Sequence, residues 1–128
     1  MASRNQDARE QGVALRAKVL GKEKVAAADR SVDEFMRPFR EFVDAYCWGT
    51  IWTRPGLDLK TRSLINLSMI ASLNRGHELK IHLHGALNNG VTHDEVREIF
   101  MQVAVYAGVP AALDAMRAAQ EVFAERGV

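Results

Sequence analysis

Thr92-His93-Asp94-Glu95-Val96-Arg97-Glu98-Ile99-Phe100-Met101-Gln102-Val103-Ala104-Val105-Tyr106-Ala107 is the stretch on which the fold class turns. Thr92 and Glu95 have the spacing of a capping box, in which the hydroxyl and the carboxylate each accept from a backbone N–H left open at a helix start. Behind them Val96, Ile99, Phe100, Val103, Ala104 and Ala107 recur at the three-and-four spacing of one helical face. A strand would instead alternate at every second residue, and no segment of the chain does so.

Working outward, Gly108-Val109-Pro110 closes this helix, and Pro110 suits the first turn of a last one whose buried stripe is marked by Leu113, Met116, Ala119 and Phe123. On the other side, Asn88-Asn89-Gly90 is a C-terminal stop for a helix beginning at His77. Asn74-Arg75-Gly76 separates that helix from one capped by Asp58, in which Leu64, Ile65, Leu67, Ser68, Ile70, Ala71 and Leu73 are apolar or small on nearly every side. Such a helix is expected to be central and buried.

Gly49 to Gly56 has no helical period and reads as a structured loop around Trp48, Trp52 and Arg54-Pro55-Gly56. Before it, Ser31 and Glu34 repeat the capping-box spacing. Phe35, Phe39, Phe42, Val43 and Tyr46 then predict a helix from about Val32 to Cys47. Gln6 to Ala28 reads as a helical arm with a break near Gly21. The expectation is an all-α protein of about six helices, with residues 1–30 as the arm and 31–128 as the body of a single domain.

Its 128 residues, 48% of them hydrophobic, suit one compact domain. A helical domain of this size buries only about two thirds of its unfolded surface, so association into a homo-oligomer is expected. Seventeen basic against sixteen acidic side chains leave a net charge of +1, which argues against nucleic acid as a partner. A polar Met1 to Asp7 and the lack of a long apolar run argue against a leader and a membrane span, so a cytoplasmic protein is expected. A lone Cys47 can form neither an internal disulfide nor a two-thiol metal site.

Three of the four histidines fall within His77-Glu78-Leu79-Lys80-Ile81-His82-Leu83-His84. At about 100° per residue His82 and His84 diverge by roughly 200°, and His77-Glu78 to His82 is one residue too long for the zinc-protease motif. A metal site is therefore not expected. His82 shares a side with Leu79, Leu83 and Ala86 and is the inward candidate, whereas His77, Lys80 and His84 fall largely on another side. Glu78, four residues earlier, can fix the imidazole tautomer and favour the protonated ring, making the pair a candidate general acid or base. The plainer account of the same spacing is a structural histidine satisfied by a helix neighbour. Arg54 and Arg62 suit a carboxylate ligand, or are solvated surface arginines, with Trp48 and Trp52 as core plugs.

Residues Tyr46-Cys47-Trp48-Gly49-Thr50-Ile51-Trp52-Thr53-Arg54-Pro55-Gly56-Leu57, Thr61-Arg62-Ser63-Leu64, His77-Glu78-Leu79-Lys80 with His82, Gly85-Ala86-Leu87-Asn88-Asn89-Gly90 and Tyr106-Ala107-Gly108-Val109-Pro110-Ala111-Ala112 together resemble the carboxymuconolactone decarboxylase family. The similarity runs from about Glu34 to Phe123, with the blocks in family order. It implies the all-helical fold shared with alkylhydroperoxidase D-like proteins, a ring-like homohexamer built from dimers or trimers, and loss of CO2 from 4-carboxymuconolactone without metal or organic cofactor. It also implies a functional His82, since that residue matches the histidine of the family's helix motif. On that resemblance His82 and Glu78 are the catalytic candidates, and Arg54, Arg62, Trp48 and Trp52 the substrate-binding ones.

Three positions depart from the family pattern as the resemblance gives it: Thr50 stands where Glu is frequent, His84 where Arg is frequent, and Ala107 where Cys is frequent. The first two bear on the substrate and leave open another carboxylated lactone or a β-keto acid. A rival reading is a peroxidase of the alkylhydroperoxidase D type, but the positions of its Cys-x-x-Cys pair hold Arg75 and Glu78, so Cys47 would need an external thiol. A third reading is a non-catalytic oligomeric binding module on the same fold.

Overall fold

Ser3 opens the first helix: its Oγ accepts from the Gln6 N–H at 3.1 Å. The computed structural model describes residues 3–128; Met1 and Ala2, which begin the polar stretch discussed above, lie outside the described residues. Seven α-helices and one π-helix, and no strand, make up the described chain. They are α1 (Arg4–Leu20), α2 (Lys22–Arg30), α3 (Arg37–Val43), a π-helix (Asp44–Ile51), α4 (Leu59–Ser72), α5 (Gly76–Asn88), α6 (His93–Ala107) and α7 (Val109–Arg126). The all-α expectation holds. The chain divides into two compact units, one ending at Asp58 and the other spanning Leu59–Val128. None of the helices among the described residues is long and apolar enough to cross a membrane.

In the N-terminal unit, α1 breaks where expected, at Gly21, whose φ of +98° is open to glycine at little cost. Ser31 does not cap a following helix. Its Oγ instead donates to the Ala28 carbonyl at 2.7 Å and helps end α2. The helix expected from Val32 starts five residues later because Pro38 has no N–H and tolerates only a first turn; a start at Val32 would have put it in the helix interior. Asp33 Oδ1 accepts from the Met36 N–H at 3.0 Å in the turn that leads into α3.

The stretch expected to become a loop at Gly49 is π-helical through Ile51. Its wider turn is held by Thr50 Oγ1 donating to the Ala45 carbonyl and by the Trp52 N–H donating to the Cys47 carbonyl, each at 2.9 Å and five residues back. This explains why no 3.6-residue period is visible there. The π-helix lies directly against α1 backbone: a Cβ on Gly12 would fall 1.8 Å from the Asp44 carbonyl oxygen, and one on Gly49 1.8 Å from that of Ala8. Beside this contact Arg16 is buried, its Nη1 donating to Asp29 Oδ1 at 2.9 Å and lying 3.7 Å from Asp44 Oδ1, while Arg40 Nη2 approaches the same Asp44 oxygen at 3.4 Å.

The C-terminal unit is a helical cluster around Leu67, Leu83, Val96, Phe100 and Val122, all essentially buried. α6 begins with the expected capping box, Thr92 Oγ1 accepting from the Glu95 N–H at 3.1 Å and Glu95 Oε1 from the Thr92 N–H at 3.0 Å. α5 ends at the expected stop, where Gly90 has φ +89°. The buried stripe of α7 is displaced from the one expected: Ala111, Ala112, Ala115, Ala118, Ala119 and Val122 face the core, Met116 and Phe123 flank it, and Leu113 is exposed. Small side chains let α7 approach its neighbours closely, and the larger ones fit only at the margin. α4 is central, packing on α5, α6 and α7, but not buried all round. Ser63, Leu67 and Ala71 turn inward, while Ile65, Met69 and Leu73 form an exposed apolar row.

Candidate active site

The histidine helix α5 packs against α4 on one side and α7 on another. This double packing corrects one sequence expectation. His84, expected to point away from the buried side with His77 and Lys80, is only 6% exposed because α7 covers it. Its Nε2 lies 3.0 Å from Glu125 Oε2. One turn before, Lys80 pairs with Glu121, and one turn after, Asn88 Oδ1 accepts from Arg126 Nη2 at 2.9 Å. Those residues form a polar seam that ties the two helices together.

His82 is half-buried, on the α4 side of α5, next to buried Leu79, Leu83 and Ala86. Its Nδ1 lies 3.5 Å from Asn66 Nδ2 of α4. The register of the two helices is set at the far end of α5, where Asn89 Nδ2 donates to Ser63 Oγ at 2.9 Å and to the Leu59 carbonyl at 3.3 Å. Burial pushes the His82 pKa below its ordinary 6.5, because a charged imidazolium loses solvation there; the Glu78 carboxylate pulls the other way and offsets this only in part. Glu78 thus acts as foreseen in sign, but burial outweighs it and the neutral ring is favoured. Glu78 itself is exposed. Arg62 is half-buried on α4, one turn before Asn66. Asn66 has no distinctive signal in the sequence, being one of several polar residues along α4.

In the N-terminal unit the π-helix turn stacks Trp48 on Trp52, with ring centroids 4.7 Å apart and planes inclined by 23°. Both indoles are buried, Arg54 just beyond them is exposed, and Cys47 is a half-buried free thiol. Thr50 is exposed, with its hydroxyl engaged in the π-helix. Asp44 is buried and its pKa is raised, burial outweighing the opposing pull of Arg40 and Arg16.

Chemically, the α4–α5 pair offers a half-buried imidazole whose neutral form burial favours, with an amide at one ring nitrogen, and a guanidinium on the same helix as that amide. Such a group can donate a hydrogen bond to a developing anion or move a proton. Among the described residues no three His, Cys, Asp or Glu side chains gather as a metal-binding group. A small cleft of about 70 Å³ between the α4–α5 turn and the start of α7 is lined by Asn74, Arg75, Leu79 and Asp114 and includes none of the candidate residues.

Comparison with known proteins adds three findings. Residues 37–121 match the carboxymuconolactone decarboxylase family. A 4-carboxymuconolactone decarboxylase from Acinetobacter baylyi is 40% identical over 118 residues, covering 92% of this chain and 88% of the relative. A nitrosuccinic acid decarboxylase from Metarhizium robertsii is 44% identical over 112 residues, covering 88% of this chain and 78% of the relative.

Proposed function

Because this chain belongs to the carboxymuconolactone decarboxylase family, we propose that it removes CO2 from 4-carboxymuconolactone, or a closely related carboxylated lactone, giving the β-ketoadipate enol-lactone in protocatechuate breakdown. It is a carboxy-lyase acting on a small carboxylated molecule. The observation that carries the substrate is the 40% identity, over nearly the whole chain, to a relative named for that reaction.

The chemistry needed is modest. When the bond to the departing carboxylate breaks, its electron pair stays with the ring and delocalises onto the lactone oxygen as an enolate, which a proton then quenches at carbon. Hydrogen-bond donors aimed at that oxygen lower the barrier most. His82 is assigned this role, as donor to the anion or as the acid that returns the proton, with Glu78 tuning its charge. Arg62 and Arg54 are assigned to the substrate carboxylates, which a planar guanidinium grips through paired hydrogen bonds. Trp48 and Trp52 are assigned as an apolar wall beside the departing carboxylate. The reading needs no cofactor, and with it go a cytoplasmic location and a homohexameric or trimeric assembly.

A second substrate is favoured by a specific observation, the 44% identity to a relative named for nitrosuccinic acid. A nitro group on the carbon that loses CO2 takes up the electron pair as a nitronate, much as a conjugated lactone takes it up as an enolate, so the same donor would serve either acid. The test is an ultraviolet assay of CO2 loss from freshly generated 4-carboxymuconolactone, run beside nitrosuccinate. Turnover of the lactone supports the first substrate and turnover of nitrosuccinate alone the second; turnover of neither removes both. In the productive assay His82→Ala should lower kcat by about 100-fold, and a wild-type rate would remove the role given to His82.

A further inference from the structure

We infer that Asn66 is a positioning residue that holds His82 in the neutral tautomer carrying its proton on Nε2, so that the ring offers an N–H donor to the anion formed by decarboxylation. The inference rests on the role given to His82 above. It starts from the 3.5 Å approach of Asn66 Nδ2 to His82 Nδ1. An amide nitrogen can only donate, so the ring nitrogen facing it must accept and cannot carry a proton; a neutral imidazole then has its proton on Nε2.

The identity of the residue at this place matters. A carboxylate facing Nδ1 would attract the proton to that nitrogen, leave Nε2 as an acceptor and stabilise the imidazolium. An amide does neither, and it adds no charge to a ring that burial already keeps neutral. The arrangement therefore suits a donor to an oxyanion better than a general base. The contact is long for a hydrogen bond, as such contacts commonly are before substrate tightens the site. Its surroundings are built to hold it: Asn66 lies half-buried between the buried turns at Ser63 and Leu67, and Ser63 is fastened to α5 through Asn89. Glu78, exposed on α5, modulates the charge of the ring, whereas Asn66 decides which nitrogen keeps the proton.

The tautomer can be read directly. In the ¹⁵N-labelled full-length protein at a pH where His82 is neutral, long-range ¹H–¹⁵N correlations should show the proton on Nε2. Asn66→Asp should move it to Nδ1, and Asn66→Ala should give a mixture. In the decarboxylation assay Asn66→Asp should lower kcat by about 100-fold with little change in KM. A wild-type ring protonated on Nδ1, a tautomer unaltered in both variants, or full activity in Asn66→Asp once the proton has moved, would each overturn the inference. The wild-type spectrum needs neither a variant that folds nor a substrate. If it shows the expected tautomer while no acid is turned over, the functional reading has failed and the Asn66 contact has not.

Discussion

Up to Asp58 the chain buries charge and close backbone contact beside its apolar side chains, whereas from Leu59 onward what it buries is mainly hydrocarbon. The N-terminal unit combines buried Val19, Trp48 and Trp52 with Gly12 and Gly49, where main chain meets main chain, and with Arg16 and Asp44, two ionisable groups almost out of water. Meanwhile Phe35, Phe39, Phe42 and Tyr46 remain largely exposed. The C-terminal unit spreads its stability over many aliphatic contacts around Leu67, Leu83, Phe100 and the alanines of α7. A few contacts without substitutes fail abruptly, while distributed packing loses stability in proportion to what is removed.

The largest effect should come from Gly12→Ala, since a methyl group at that place collides with the Asp44 carbonyl and the π-helix must move. A loss of about 4 kcal/mol or more is expected, read as collapse of hydrogen-exchange protection in residues 4–51 while 59–126 keep theirs. Equal loss in both segments would break the contrast between the units. Asp44→Ala, which leaves buried Arg16 and half-buried Arg40 beside an emptied place, should cost about 3 kcal/mol by urea denaturation.

In the other unit Leu83→Ala should cost a similar amount, about 3 kcal/mol. Leu83→Met, which keeps the volume, should cost only about 1 kcal/mol. A Leu83→Met loss as large as that of Leu83→Ala would mean that this core depends on shape as strictly as the glycine contact does.

The smallest effect distinguishes the units by sign. Asp44 has its pKa raised in the fold, so above 3.8 the folded state holds the proton that the unfolded chain releases, and stability falls as pH rises through the folded value. His82 has its pKa lowered, so below 6.5 the unfolded chain takes up a proton that the fold resists, and stability falls as pH drops through the folded value. Comparing wild-type melting temperature with those of Asp44→Asn and His82→Gln across this range isolates each contribution. Slopes of the same sign would refute the opposition.

Much of the C-terminal unit could be read from single residues, because local chemistry sets its boundaries. The Thr92–Glu95 capping box, the stop at Gly90 and the proline in the first turn of α7 each act within one turn of where they stand. The N-terminal unit was harder to read, since two signals competed at one place. The capping-box spacing of Ser31 and Glu34 is real, but Pro38 forbids the helix it announces. The candidate site was legible only in part. His82 and Glu78 are neighbours along one helix and visible as such, whereas Asn66 is sixteen residues away and meets His82 only through the packing of α4 on α5.

The sequence by itself determined the all-α class, most helix limits and, through its ordered motifs, the decarboxylase family, because caps, breakers and periodicity are written in near neighbours. Tertiary structure alone decided which of two histidines α7 covers, that the segment around Trp48 coils as a π-helix against Gly12, and that His82 lies beside an amide with burial lowering its pKa. The reason is physical: desolvation and backbone clearance depend on what another helix brings up against a residue, and no local spacing contains that information.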